Sequence, residues 1–361
     1  MPGKKKYDRR SKMNNPFTLM FGKEPKSFIS NSGQFDSIKE DFLADSPAST
    51  VKLITGVRGS GKTVMLTRLH KYFSSLSDWI VVELNPETDM LEYLASSIYE
   101  QANMKFRFLK KEFSFSFQGI SITLSGEKPV SNVVTLLENM LEVIKKKNKK
   151  VLICIDDISN NPNVKTLVQQ YQIFIRKDYP LFLLMTGLYE NVRSLQNEKS
   201  LTFLYRAPST SMNSLNLIGI ADSFEETLKV SKEEAVKMAK LTNGYAFAYQ
   251  VLGYVFFESG KTKLDNSIVK EFDNTLREYA YEKIYFDLPD GEKKIAIALA
   301  SLKTGKIADI MEAVKMTKET IYPYRDRLLK KGIVVKSGWG KLSFALPRFK
   351  EFILANRVFD Y

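Results

Sequence analysis

Eight consecutive residues constrain this chain more than any other feature. Gly56-Val57-Arg58-Gly59-Ser60-Gly61-Lys62-Thr63 fills every fixed position of the phosphate-binding pattern GxxxxGK[ST]. The flanks agree with it. Val51-Lys52-Leu53-Ile54-Thr55 reads as a short buried strand, and Val64, Met65, Leu66, Leu69, Tyr72 and Phe73 then recur at helical spacing. Strand, glycine loop and helix together let backbone N–H groups converge on phosphate oxygens, and the helix N-terminus adds a favourable dipole. Gly56 to Val64 are therefore the expected phosphate cradle. Lys62 is expected to pair with terminal phosphates, and the Thr63 hydroxyl to ligate Mg²⁺. An ordinary glycine-rich turn is the plainer reading, and eight matching positions in this context favour the phosphate loop over it.

A second element supports the first. Val151-Leu152-Ile153-Cys154-Ile155-Asp156-Asp157 is an apolar run ending in two carboxylates, and it resembles a Walker B strand. A buried strand of this kind delivers its terminal carboxylates to the carboxyl edge of a parallel sheet, beside the loop. Asp156 is expected to hold Mg²⁺, directly or through water. Asp157 is expected to orient or deprotonate an attacking water. The run Leu181 to Met185 is a further strand, and Thr186 at its end is expected to contact the γ-phosphate or that water. The plainer reading of Thr186 is a strand-ending turn residue. Arg206 closes Leu201-Thr202-Phe203-Leu204-Tyr205-Arg206 and is expected to act as an arginine finger, toward a neighbour or in cis. A plain surface arginine is the other reading.

Continuous apolar strands at 51–55, 79–84, 151–155 and 181–185 alternate with helical patterns at 62–75, 88–103, 131–147 and 163–177. That order implies an α/β fold with a parallel sheet covered on both faces. The strictly alternating runs Phe113 to Phe117 and Ile120 to Leu124, joined at Gln118-Gly119, predict a β-hairpin. Residues 13–50 read as an extended arm followed by a helix near 34–44. Residues 211–285 are mainly helical. The last 70 or so residues predict three helices and a short hairpin around Ser337-Gly338-Trp339-Gly340, the size and order of a winged helix-turn-helix. Its third helix is expected near 318–331, or from Thr320 so that Pro323 falls in the first turn.

Taken whole, the chain from Asn15 onward resembles AAA+ ATPases close to the origin-recognition and replication-initiator group, and also the STAND signalling ATPases. The string TGVRGSGKTVML, the arm NPFTLMFGKEP and the C-terminal winged helix carry that resemblance. It implies a P-loop NTPase core, a helical lid and a winged helix, with bounds 1–45 for the arm, 46–210 for the core, 211–285 for the lid and 286–361 for the winged helix. It implies ATP and Mg²⁺ as cofactors, and an adenine near Pro25 to Ser30, with Phe28 a contact. Thr242-Asn243-Gly244-Tyr245-Ala246 resembles the family's Gly-x-Pro lid turn, which makes Gly244 a further nucleotide contact. Three departures stand out. Asp157 replaces the initiators' glutamate, Ala246 replaces the proline, and no sensor 2 arginine is evident.

Charge distribution bears on the partner. The net charge is +13, but residues 1–12 carry +5 and residues 286–361 carry +6. Excess charge at both ends suits an anionic partner, duplex DNA, with Arg325, Arg327, Lys331 and Trp339 as expected contacts. A protein docked on the winged helix is the alternative, and solvation is the plainest reading of the N-terminal charge. The expected function is thus an Mg-ATP-binding ATPase coupling nucleotide state to a conformational or assembly change. A STAND-like switch with little turnover is the alternative. ATP and ADP, DNA or protein, and further copies of the chain in an ATP-dependent homo-oligomer are the expected partners. A single cysteine, one histidine and the lack of a long apolar run give no expectation of disulfides, zinc or membrane insertion, and the cytoplasm is the expected compartment.

Overall fold

The computed structural model describes residues 14–20, 22, 25–29, 32–101, 114–117, 120–123 and 132–356. The chain divides into two compact units, Asn31–Asn213 and Met1–Ser30 with Ser214–Tyr361.

In Asn31–Asn213 the elements run α1 (Ser32–Leu43), β1 (Val51–Thr55), α2 (Lys62–Ser74), β2 (Trp79–Leu84), α3 (Met90–Gln101), β3 (Ser114–Phe117) and β4 (Ile120–Thr123). Then come α4 (Val133–Lys146), β5 (Lys150–Ile155), α5 (Pro162–Arg176), β6 (Leu181–Gly187), α6 (Tyr189–Gln196), a 3-10 helix (Lys199–Arg206) and β7 (Ser209–Ser211). Five strands form one parallel sheet in the order β2-β5-β6-β1-β7. The β3–β4 pair is a separate antiparallel hairpin with Phe117 opposite Ile120. Its turn, Gln118-Gly119, lies outside the described residues.

The sheet explains why its strands read as unbroken apolar runs. Val151, Ile153 and Ile155 of β5 enter one core, shared with α3, α4 and α5. Leu152 and Cys154 enter the other, with Ile38 and Phe42 of α1 and Leu66, Leu69 and Phe73 of α2. Successive residues point to opposite faces, and both faces are covered, so most strand positions are apolar; Lys52 of β1, buried and paired with Asp41, and the exposed Glu83 of β2 are exceptions. The edge strand β7 is different. Ser209, Thr210 and Ser211 are polar and exposed to half-buried, and nothing in their hydropathy predicts a strand. Parallel backbone pairing sets them beside β1.

The other unit begins with α7 (Leu217–Leu228), α8 (Lys232–Thr242), α9 (Ala246–Ser259) and α10 (Asn266–Leu276). The last runs through a π-helical turn (Arg277–Tyr281) into α11 (Glu282–Phe286). Side chains of Asn216, Ser231 and Asp265 cap α7, α8 and α10, which fixes where each begins. The arm packs on these helices. Phe17 is buried with ring centres 5.8 Å from Phe224 and 5.6 Å from Tyr249. Asn15 Nδ2 donates to Glu258 Oε1 at 2.9 Å, and Thr18 N–H to Gln250 Oε1 at 3.1 Å.

The same unit holds the winged helix-turn-helix: α12 (Asp290–Ser301), α13 (Ile307–Val314), α14 (Lys318–Lys330), the antiparallel β8 (Val334–Gly338) and β9 (Lys341–Phe344), and α15 (Phe349–Asn356). The helix does not wait until Thr320. It starts at Lys318 behind Thr317 and carries Pro323 in its interior. An interior proline costs about 3 kcal/mol. Full burial of Ile321 and Leu328 on the same helix offsets this, at about 1.5–3 kcal/mol for each such side chain. Among the described residues, no helix is long and apolar enough to cross a membrane.

Candidate functional site

The phosphate loop leaves the carboxyl end of β1, which lies between β6 and β7; this is the sheet edge where open α/β folds bind their ligands. Gly59 and Gly61 hold φ of +73° and +94°, a backbone that L side chains resist, and a Cβ on Gly56 would stand 2.4 Å from Ser60 Oγ. That hydroxyl is buried and has no hydrogen-bond partner among the described residues. No side chain caps the start of α2. Its first N–H groups therefore face the loop unblocked by any cap of the helix's own.

Lys62 is buried and folds back over the loop, its Nζ donating to Gly56 O and Val57 O at 3.1 Å each. Burial lowers its pKa from the ordinary lysine value, Asp157 and Asp156 pull it up, and Arg58 adds to the lowering. Thr63 Oγ1 donates to Asp156 Oδ2 at 2.7 Å, so the two residues expected to share a metal already meet. Asp157 follows in a left-handed conformation, φ +49°, and is exposed. Aspartate tolerates this region better than most residues.

Thr186 meets both carboxylate residues. It is fully buried, and its hydroxyl donates to Asp156 Oδ1 and accepts from Asp157 N–H at 3.2 Å. It therefore fixes the carboxylate pair rather than reaching outward. Arg206 ends the 3-10 helix in an exposed position just before β7. Phe28 and Gly244 belong to the other unit. Val64 lies in the first turn of α2.

The residues present fit a nucleoside triphosphate with Mg²⁺. The loop is a cradle a side chain would fill, it holds an unpartnered hydroxyl and a lysine, and it faces a hydroxyl–carboxylate pair of the oxygen type that Mg²⁺ prefers.

Two of the four expected DNA contacts, Arg327 and Lys331, turn toward a carboxylate of their own fold. Glu292 of α12 is fully buried, and two of the expected phosphate-binding residues bond to it. Arg327 Nε lies 2.7 Å from its Oε1 and Lys331 Nζ 2.6 Å from its Oε2. Lys331 is itself buried, its side chain 6% exposed, and cannot present its charge to a phosphate. Arg325 pairs with Asp326 at 2.7 Å and stacks over Tyr322 at 4.4 Å. The open charge lies elsewhere. Lys303, Lys306, Lys336 and Lys341 are exposed, Lys306 bridges Lys341 in the antiparallel sense, and Trp339 at the hairpin tip is fully exposed. Sequence reasoning missed Lys303 and Lys306 because the bridge that brings Lys306 to the wing is formed by tertiary pairing.

A parallel P-loop sheet, a helical lid and a winged helix together form the fold of the AAA+ replication-initiator ATPases. Solved structures similar to this chain include the Aeropyrum pernix ORC2 protein in its ADPNP–ADP complexes, at 13% identity and TM-score 0.55, covering 98% of this chain and 99% of that one. Others are CDC6P from Pyrobaculum aerophilum, at 15% identity and TM-score 0.47 over 92% of this chain and 96% of that one, and the Aeropyrum pernix ORC1 protein in complex with DNA. The ORC1 match has 16% identity and TM-score 0.43, over 92% of this chain and 94% of that one. At these identities the likeness concerns the fold. Residues 278–353 match the family model of a domain of unknown function (DUF8462). Among curated proteins, none matches the chain by sequence.

Proposed function

We propose that this chain is an Mg²⁺-dependent ATP-binding switch of AAA+ type whose winged helix contacts duplex DNA. The observation that carries the nucleotide reading is the meeting of Thr63 with Asp156 beside a loop whose lysine is already folded over it. Backbone N–H groups of Gly59 to Thr63 and the Lys62 amine would bind the phosphates. Thr63 and Asp156 would hold the metal, which when bound neutralises phosphate charge. Thr186 keeps Asp156 aimed, and Asp157, exposed next to it, is the candidate base for water. Arg206 is the candidate finger, supplied to a second copy of the chain. Phe28 and Gly244 enter the proposed nucleotide contacts on the resemblance alone.

Fluorescent ATP-analogue titration tests this reading. Lys62→Ala is expected to abolish binding. Asp157→Asn is expected to keep binding and lower turnover. Undiminished hydrolysis by Lys62→Ala would refute the assignment. Turnover near zero in the wild type, with nucleotide retained through purification, would favour the STAND-like alternative.

The DNA surface is proposed on the wing: Trp339 with Lys303, Lys306, Lys336 and Lys341. Each lysine–phosphate contact releases counterions, so affinity should fall by about 0.9 log unit per contact per decade of salt. Lys336→Glu with Lys341→Glu should weaken duplex binding and flatten that slope. If the wild type ignores duplex at low salt, the winged helix is better read as a protein-docking module.

A further inference from the structure

The edge strand β7 does more than complete the sheet. Ser211 pairs with Thr55, the last residue before the phosphate loop, and Met212 N–H then donates to Thr55 O at 2.7 Å. This carries the Met212 side chain along the loop. Its Cβ stands 3.2 Å from where a Cβ on Gly56 would be, and its Cε 3.8 Å from the same point on Gly61. One methionine thus lies against the loop near both its ends.

Gln34, in the first turns of α1, holds this methionine in register. Its Nε2 donates to Ser211 O at 2.7 Å, and its Oε1 accepts from Asn213 N–H at 3.1 Å. A single side-chain amide supplies the donor and acceptor that a further strand would have offered to the open edge of β7. The Met212 backbone is therefore pinned on one side by Thr55 and on the other by Gln34.

The chain leaves this pinned segment and enters the other unit at Ser214. There Leu215 N–H donates to Gly244 O at 2.8 Å. Gly244 has φ +75°, and a Cβ on it would stand 2.7 Å from Leu215 O, so no other residue fits the turn without displacing the segment. The neighbouring Asn243 donates from Nδ2 to Ala345 O at 2.8 Å, at the end of wing strand β9. Within each unit the contacts are direct, and the peptide chain itself joins them.

We propose that Gln34 and Met212 are positioning residues for the phosphate loop, and that residues 211–215 relay its state to the lid turn at 242–244 and to the wing. The inference rests on the nucleotide reading above. Its physical basis is that an anion in the loop would compete with two backbone carbonyls for the Lys62 amine. Lys62 either bonds Gly56 O and Val57 O, as here, or releases those carbonyls to meet an anion. Gly56 is the residue Met212 lies against, so the strand is biased by whichever arrangement holds. Coupling requires an element of this two-state kind.

Hydrogen exchange with and without the non-hydrolysable analogue ADPNP, on the full chain, tests the relay, with ADPNP affinity measured alongside. In the wild type, ADPNP should slow exchange at 55–63, at 211–215, at 242–245 and at 341–345. Gln34→Ala and Gln34→Glu should each weaken ADPNP by roughly five- to tenfold, the effect expected if about one hydrogen bond's worth of free energy holds the loop in its binding arrangement. Both should lose the response at 242–245 and 341–345 while keeping it at 55–63. Met212→Ala should behave alike, and Met212→Leu, which restores the packing, should recover the remote response. ADPNP binding with protection confined to 55–63 in the wild type would overturn the relay alone. So would a remote response that persists in both Gln34 variants and in Met212→Ala. No ADPNP binding by the wild type would overturn the nucleotide reading, and the relay with it.

Discussion

Lys62 shows how one buried amine ties pH to ligand binding. Its burial holds the pKa below that of ordinary lysine, and the nearby carboxylates only partly oppose this. A polyphosphate beside it favours the charged form and raises the pKa. Between those two values the complex binds more protons than the free loop, so affinity must fall as pH rises through the window. The decline in ATP-analogue affinity should therefore set in below the ordinary lysine value of about 10.4, and a profile flat from neutral pH to that value would contradict the placement of this amine. Cys154 is the opposite case. It is fully buried in the sheet, and burial pushes its thiol far up. The thiolate is the reactive form, so a thiol reagent should leave the native chain unmodified and label one site on unfolding. Labelling of the native chain at the unfolded rate would mean that β5 is not a core strand.

At the scale of elements, the cluster on Glu292 decides how the winged helix should be probed. One buried carboxylate joins α12 to Arg327 and Lys331 at the end of α14. Removing one member of a buried pair strands the other, at about 3–5 kcal/mol. Glu292→Ala should therefore lower the denaturant midpoint of the winged helix strongly. Arg327→Ala, at a side chain nearly half exposed, should cost about 1 kcal/mol or less. Equal effects would show that the carboxylate is not the organising member. Charge reversal at Arg327 would place a second carboxylate beside Glu292, so weakened DNA binding there would report damage to the fold rather than a lost phosphate contact. This also shows where sequence reading ends. The loop at 56–63 and the strand at 151–157 were legible because their chemistry needs contiguous residues in a fixed order. Arg327 and Lys331 read as surface charge because their partner lies on another helix. Sequence alone left the helix starting at Lys318 or at Thr320, because the burial of Ile321 and Leu328 that favours the longer helix is a tertiary fact. Strand β7, Gln34 and Met212 left no local signal, since edge pairing with β1 is what gives three polar residues and two ordinary ones their place.

The whole chain is discontinuous in its architecture. Asn31–Asn213 is one unit, and both ends of the chain build the other. The arm is therefore part of the helical unit's core rather than a leader to the nucleotide fold. Phe17 is buried between Phe224 and Tyr249, close enough to Gly253 that a Cβ there would stand 2.4 Å from its ring. Gln250 ties the arm twice, accepting from Thr18 N–H at 3.1 Å and donating to Ser27 O at 2.9 Å. Deleting a buried phenylalanine side chain costs about 3–5 kcal/mol. Phe17→Ala in the full chain should thus destabilise the helical unit by that order, read as a lowered denaturant midpoint. A fragment of residues 214–361 should likewise gain stability when a peptide of residues 14–30 is added. The Phe17→Ala peptide should give less. Equal melting of the fragment with and without the native peptide would show that the helical unit is complete without the arm, and the packing of Phe17 would then be incidental to its stability.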